Sequence, residues 1–422
     1  MTYHFSVYEH TLVFKESELL TRKFIVLKDE RGDICAFTDF HKYISSSKKS
    51  YIRRITDDGN NRHYYVAKML NYVFFDKYHV DKLNCITIKM VSDFLNDYGN
   101  CMLPNDNCER TKSTVISCVK TIIDFLDQFI SENSDKCQIK QEELYKTITT
   151  RNKRGKMIKA RVPAFDVAYS GKVKNIFRDM PNKVFDIFIN HVIRKHPDIL
   201  MLVALSSFAG LRPAEACNIR RTDSPLGPSI RFVIQNGEIT DVILDLKKEL
   251  NLRSDLKPVG AIKKERIQRV YPAFLDAFVK CYKVYMAYME NHKYEAEYGA
   301  LTVNKQGKAI TYDNYYQKFR KVVEELIPIL LANEDAEIVN YGHLLMENNI
   351  SPHIFRHWFS VRLTLYGEDI AGLMYWRGDN SPLSAITYLQ NKGELEKQYR
   401  YVNSELFDFM SWQADTEYGG GK

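Results

Sequence analysis

The sequence lacks most of the patterns that mark secreted, membrane-spanning or zinc-stapled proteins. Its eight cysteines are Cys35, Cys85, Cys101, Cys108, Cys118, Cys137, Cys217 and Cys281, and no two form a C-x-x-C pair. That spacing argues against a structural zinc site, and the scatter predicts reduced, mostly buried thiols in a cytosolic protein. No signal-peptide pattern opens the chain. The longest apolar run, Ile199 to Ala209, is too short to span a bilayer and contains Ser206 and Ser207. There is no internal repeat and no low-complexity tract. These absences predict a soluble, intracellular protein with no membrane association.

The 422 residues suffice for two or three domains, and a hydrophobic fraction of 45% is that of a globular protein. The net charge of +7 is mildly basic. It points to a polyanionic partner only where the charge clusters.

Residues 1–45 alternate apolar and polar around Lys23-Phe24-Ile25-Val26-Leu27, and a turn signal follows at Asp29 to Asp33, which predicts an arm or small β-hairpin. Residues 46–135 predict a helical domain, with the strongest periodicity over Tyr64–Tyr78 and Thr111–Phe129. Lys48, Lys49, Arg53, Arg54, Arg62, Arg110 and Lys112 offer that domain a basic, DNA-facing side. Residues 136–175 read as a linker. Within it Arg151, Lys153, Arg154, Lys156, Lys159 and Arg161 are uninterrupted by an acid, as in extended chain that tracks nucleic acid. Residues 176–410 read as a larger domain. Helices are expected at 184–194, 199–209, 271–290, 312–331, 354–366 and 382–391. Strands are expected at 230–234 and 241–246, joined through a turn at Asn236-Gly237. Residues 411–422 read as a flexible tail. The fold class expected is mainly α with a small β-sheet (α+β).

Three short pieces stand out: Gly210-Leu211-Arg212-Pro213-Ala214-Glu215, His353-Ile354-Phe355-Arg356-His357, and Thr387-Tyr388. Arginine binds phosphate through a planar donor fork, and tyrosine serves as a covalent nucleophile. Pro213 suits the first turn of a helix, which puts Arg212 at a junction between packed elements, with Glu215 free to orient it. His353 and Arg356, spaced i, i+3 after Pro352, share one helix face, and Phe355 and Phe359 face the core. The set suggests an enzyme that attacks DNA with a tyrosine and without a metal.

In order and spacing these motifs resemble the tyrosine recombinases of the lambda-integrase type, over most of the chain after residue 45. The resemblance implies a helical core-binding domain and an α/β catalytic domain closing as a C-shaped clamp on DNA. It implies cleavage and rejoining through a 3′-phosphotyrosine on Tyr388, with Arg212 and Arg356 on the phosphate and His353 assisting. It also implies a lysine general acid on a β-hairpin turn, for which register points to Lys264 with Lys263 second. No cofactor is implied. The partners implied are double-stranded DNA with inverted-repeat core sites, a homotetramer at synapsis and an accessory DNA-bending factor. The setting is a mobile element in the cytoplasm, on the nucleoid. Glu396 to Trp412 is a candidate C-terminal helix for contact between protomers.

One position departs from the pattern. The family carries histidine or tryptophan nine residues before the tyrosine, where this chain has Asp379 in Trp376-Arg377-Gly378-Asp379-Asn380. A carboxylate beside a phosphate repels it. Three accounts stay open: a protonated acid, a carboxylate turned away to pair with Arg377 or another cation, or a role taken over by Trp376. Other functions also stay open: a type IB topoisomerase-like activity, a catalytically degenerate DNA-binding protein, and a helical scaffold with no nucleic-acid role.

Overall fold

The computed structural model describes residues 3–14, 17–44, 61–104, 106, 108–151, 157–171 and 180–379. The chain is mainly α with small antiparallel sheets, and it divides into two compact units, 1–12 with 20–175 and 13–19 with 176–422.

Strands β1 (His4–Phe14), β2 (Glu18–Lys28) and β3 (Ile34–Phe37) form a sheet in that order, with β2 and β3 antiparallel. Three helices follow: α1 (Arg62–Asn71), α2 (Ile88–Gly99) and α3 (Lys112–Asn133). Thr87 and Thr111 cap α2 and α3, each accepting a backbone N–H three residues on. On α3 the buried Val115, Cys118, Ile122, Phe125, Leu126 and Ile130 recur at helical spacing, and they share a core with Val66, Leu70, Val91 and Phe94. Arg110 belongs to that interior. It is 5% exposed, pairs with Asp106 and stacks on the Tyr98 ring 3.9 Å away, so it is not part of a DNA-facing side.

The segment expected to be an extended linker is instead a hairpin. Strands β4 (Tyr145–Arg151) and β5 (Met157–Pro163) pair antiparallel from Tyr145↔Pro163 to Arg151↔Met157. Ile148, Thr149, Thr150, Ile158 and Val162 favour the pleated conformation, and Arg151, Lys159 and Arg161 stand on exposed positions where like-charge repulsion is screened.

The second unit is built around α5 (Leu200–Phe208), every residue of which is buried. The apolar run is a core helix, hydrophobic on all sides because neighbours surround it. Before it comes α4 (Asn182–Lys195) and after it the single turn α6 (Pro213–Ala216). A three-stranded antiparallel meander follows: β6 (Ile230–Gln235), β7 (Glu238–Leu246) and β8 (Arg266–Arg269). Its first turn, Asn236-Gly237, has positive φ at both residues, as a two-residue hairpin turn requires. Helices α7 (Leu275–His292), α8 (Tyr312–Leu331), α9 (Ala336–Glu347), α10 (His353–Leu365) and α11 (Ile370–Arg377) complete it. α7 and α10 pack on α5. Phe355 and Phe359 of α10 are fully buried in this core.

Among the described residues no helix is long and apolar enough to cross a membrane. The eight cysteines are free thiols, but only Cys118, Cys217 and Cys281 are buried, fewer than expected.

Candidate active site

The site begins where α5 stops. Gly210 has φ +64°, a conformation that costs glycine little, and a Cβ there would run into the Phe359 ring. The Leu211 N–H bonds back to the Leu205 carbonyl, the closing bond of a helix C-terminus. The chain leaves this turn in extended conformation at Arg212, and Pro213 starts α6. Glu215, with a fully buried side chain, folds back so that Oε2 accepts the Arg212 backbone N–H at 3.0 Å and Oε1 accepts Arg212 Nη1 at 3.0 Å. From β8, Arg266 donates to both Glu215 oxygens, at 3.1 and 2.8 Å. Burial alone would raise the Glu215 pKa. The hydrogen bonds and charge of Arg266, and then the charge of Arg212, outweigh it and hold the carboxyl at about 2.

Arg356 lies in the first turn of α10 and is 3% exposed. Its Nη1 donates to the Gly210 carbonyl and its Nη2 to the Arg377 carbonyl at 2.9 Å, so backbone from two other elements fixes the guanidinium plane. Burial, then the positive charges of Arg377 and Arg212, bring its pKa down to about 9, which leaves it protonated at neutral pH.

Asp379 closes the cluster. α11 ends at Gly378 in the left-handed conformation, and the Asp379 N–H returns to the Met374 carbonyl at 2.9 Å. This cap aims the Asp379 carboxylate inward. Its Oδ1 accepts from Arg212 Nη2 at 2.9 Å and from Arg356 Nη2 at 2.8 Å, and its Oδ2 lies 3.1 Å from Arg377 Nη2. Of the accounts the sequence left open, the pairing with Arg377 is present, but the carboxylate is turned towards Arg212 and Arg356 and not away from them. Trp376 is engaged elsewhere: its indole N–H donates to Glu368 at 3.1 Å and its carbonyl accepts from Gln268.

His353, one turn before Arg356, has its pKa lowered to about 4. Desolvation by the surrounding protein is the main cause, followed by the charges of Arg356 and Arg212, with Lys263 adding to them. Lys263 thus lies within electrostatic reach of the site. The Lys264 carbonyl accepts from Arg266 at 3.0 Å. Together Arg212, Arg266, Arg356 and Arg377 face Glu215 and Asp379, four cations against two anions. That surplus suits a phosphodiester and repels a metal cation.

Sequence reasoning anticipated that Glu215 would pair but not with which residue, and it missed Arg266. A buried acid after Arg212 called for a second cation, and a strand supplied it from a distance in sequence. Tyr388 lies outside the described residues, as do Arg53, Arg54, Lys153, Arg154, Lys156 and the segments 382–391 and 396–412. Arg151, Lys159 and Arg161 are exposed on one face of the β4–β5 hairpin, with Arg161 stacked 3.8 Å above the Tyr145 ring. Among the described residues, His191, His196 and Glu325 form a cluster that could hold a metal, on elements that give the arginine site none of its residues.

No family model matches the chain, and no curated protein matches it. Several solved structures are similar. The XerH site-specific recombinase bound to palindromic difH substrate is 14% identical, with a TM-score of 0.44, over 78% of this chain and 73% of that one. The Tn1549 transposon integrase in complex with a circular intermediate DNA is 14% identical, with a TM-score of 0.47, over 81% and 95%. The XerA recombinase is 14% identical, with a TM-score of 0.35, over 81% and 90%.

Proposed function

We propose that the chain is a tyrosine site-specific recombinase that cuts and rejoins DNA strands, as the integrase of a mobile element. The observation that carries this reading is the meeting of Arg212 and Arg356, from a helix junction and a distant helix, on one anionic oxygen. A pair of guanidinium groups held by packed backbone is a preorganised oxyanion site, and each such donor contributes on the order of 3 kcal/mol to a phosphoryl transition state.

In this mechanism Tyr388 Oη attacks the scissile phosphorus and the bond to the 5′-oxygen breaks. Arg212 and Arg356 hold the non-bridging oxygens. Lys264, or Lys263 beside it, supplies the proton to the departing 5′-oxygen. The tyrosine proton passes to His353 or to water. His353 is neutral before DNA binds, and the phosphate's negative charge raises its proton affinity when the proton must move. The energy of the broken bond is kept in the phosphotyrosine, and a 5′-hydroxyl reverses the step on the same or a new strand. The reading brings with it duplex DNA bearing inverted core sites, a tetramer at synapsis with an accessory bending factor, and a cytoplasmic, nucleoid-associated location.

Asp379 takes donors that the phosphate needs, so the carboxylate yields Arg212 and Arg356 as DNA seats and keeps Arg377. The same interaction favours a second reading, a catalytically degenerate DNA-binding protein in which Asp379 never yields. Covalent trapping separates the two. Nicked DNA carrying a candidate site is mixed with the protein, denatured in detergent and examined for a protein–DNA adduct. The recombinase gives an adduct that Tyr388→Phe abolishes. Bound DNA with no adduct leaves the degenerate reading.

A further inference from the structure

The end of α4 and the middle of α8 carry a cluster that the arginine site does not use. His191 lies in the last turns of α4. His196 is the residue at which that helix stops, with φ −134° and ψ 48°, and Pro197 follows. Residues five apart on a continuous helix diverge. The break at His196 brings the second ring back to 5.7 Å from the first. Opposite them, Glu325 of α8 places Oε2 3.0 Å from His191 Nε2 and 2.7 Å from His196 Nε2. The three donor atoms all lie within 4.8 Å of one another, and the two imidazoles are 13% and 14% exposed.

The scaffold beneath is rigid. Phe188 of α4 meets Phe319 of α8 at 5.9 Å between ring centroids, and Val192, Val322 and Leu326 are fully buried beside them. Asp198, two residues after His196, pairs with Lys318, two turns before Glu325 on the same face of α8, which pins the bend. The two imidazoles are therefore set by packing, and the Glu325 side chain, 36% exposed, reaches them from the rim.

We propose that His191, His196 and Glu325 form a binding site for a divalent transition metal, with zinc the best match. Two imidazole nitrogens and one carboxylate oxygen are a borderline donor set, preferred by zinc over magnesium or calcium. In a tetrahedral site with bonds of about 2.0–2.2 Å, neighbouring donors stand roughly 3.4 Å apart. Opening the 3.0 and 2.7 Å separations by about 0.4 and 0.7 Å admits the ion. Lys321, whose ammonium is 3.8 Å from Glu325 Oε1, is 69% exposed and free to swing away. The ion replaces a hydrogen-bonded pin with coordinate bonds and clamps the end of α4 to α8. Its ligands lie outside the arginine cluster, so the ion takes no part in the proposed DNA cleavage.

The test is titration of metal-free full-length protein with zinc chloride by calorimetry, and with cobalt(II) by visible absorption, alongside Glu325→Gln and His196→Asn. Thermal melting checks that the variants fold. Glu325→Gln retains the side chain's shape and a hydrogen-bonding oxygen but loses the anionic ligand. Second-ring changes alone cost about 10–100-fold in metal affinity, so loss of a direct ligand should cost about 100-fold or more. The expected result is one zinc per chain in the parent, an affinity weakened to that extent in both variants, and a tetrahedral cobalt spectrum without thiolate charge-transfer bands. Absence of binding overturns the proposal. So does affinity unchanged in both variants, or a thiolate signature showing that cysteines hold the metal.

Discussion

At the scale of single residues, Asp379 decides how the arginine pair behaves. Its Oδ1 lies between Arg212 and Arg356 where a phosphate oxygen is proposed to bind. Asp379→Asn keeps the shape and removes the charge. Orthophosphate should then bind about tenfold more tightly, a gain near 1.4 kcal/mol, and the covalent adduct should form faster on nicked DNA. The variant should also lose roughly 1–3 kcal/mol of stability in denaturant unfolding, because Arg377 and Arg356 lose their anion. Weaker phosphate binding in the variant would mean that Asp379 aligns the arginines and does not occupy their site. Arg212, His353 and Arg356 were legible in the sequence because each stands beside a local punctuation mark, Gly210 and Pro213 for the first and Pro352 for the other two. The partners of Asp379 were only half legible. Arg377, two residues away, is a local choice, whereas Arg212 reaches Asp379 across the fold, and tertiary pairing of that kind leaves no spacing signal.

At the scale of elements, Glu215 joins the start of α6 to β8. It caps Arg212 through the backbone and takes both terminal nitrogens of Arg266. Its folded-state pKa of about 2 lies below the ordinary carboxylate value of 4.5. The stability from this group is therefore fully present above pH 4.5 and is lost as the pH falls towards 2. The difference corresponds to about 3 kcal/mol. Glu215→Gln should lower stability at neutral pH by roughly 3–5 kcal/mol, since two guanidinium groups lose a buried counter-charge. The variant should also lose part of the acid sensitivity between pH 4.5 and 2 in unfolding measured against pH. A variant with the same pH profile as the parent would show that other carboxylates carry the acid transition. Long amphipathic elements such as α3 and α8 were read from periodicity to within a few residues. The β4–β5 hairpin was not, because its arginines and lysines imitate an unstructured basic tether. Only the cross-strand pairing of Ile148, Thr149 and Thr150 with the opposite strand shows that the same residues fit a pleat.

At the scale of the whole molecule, the proposed action on DNA makes the surplus of seven positive charges matter only where the two meet. Arg151, Lys159 and Arg161 share one exposed face of the β4–β5 hairpin, spaced at alternate positions along their strands. This is a fixed row of cations, unlike a tether, and it pays no ordering entropy when DNA arrives. For each phosphate that is no longer neutralised, the plot of log affinity against log salt should become shallower by about 0.9. Replacing all three residues with glutamine should therefore reduce the slope by up to about 2.7, measured by fluorescence anisotropy on duplex DNA from roughly 50 to 200 mM salt. The weakening should be nearly the same for target and random sequence, because phosphate interactions position the protein without reading bases. An unchanged slope would place the hairpin off the DNA and leave Arg161 only its stacking on Tyr145. A drop confined to the target sequence would assign the face to base recognition. The uniform, salt-graded weakening is the outcome that divides the labour between the two units, with the hairpin of the first supplying affinity for duplex DNA and the arginine site of the second supplying chemistry.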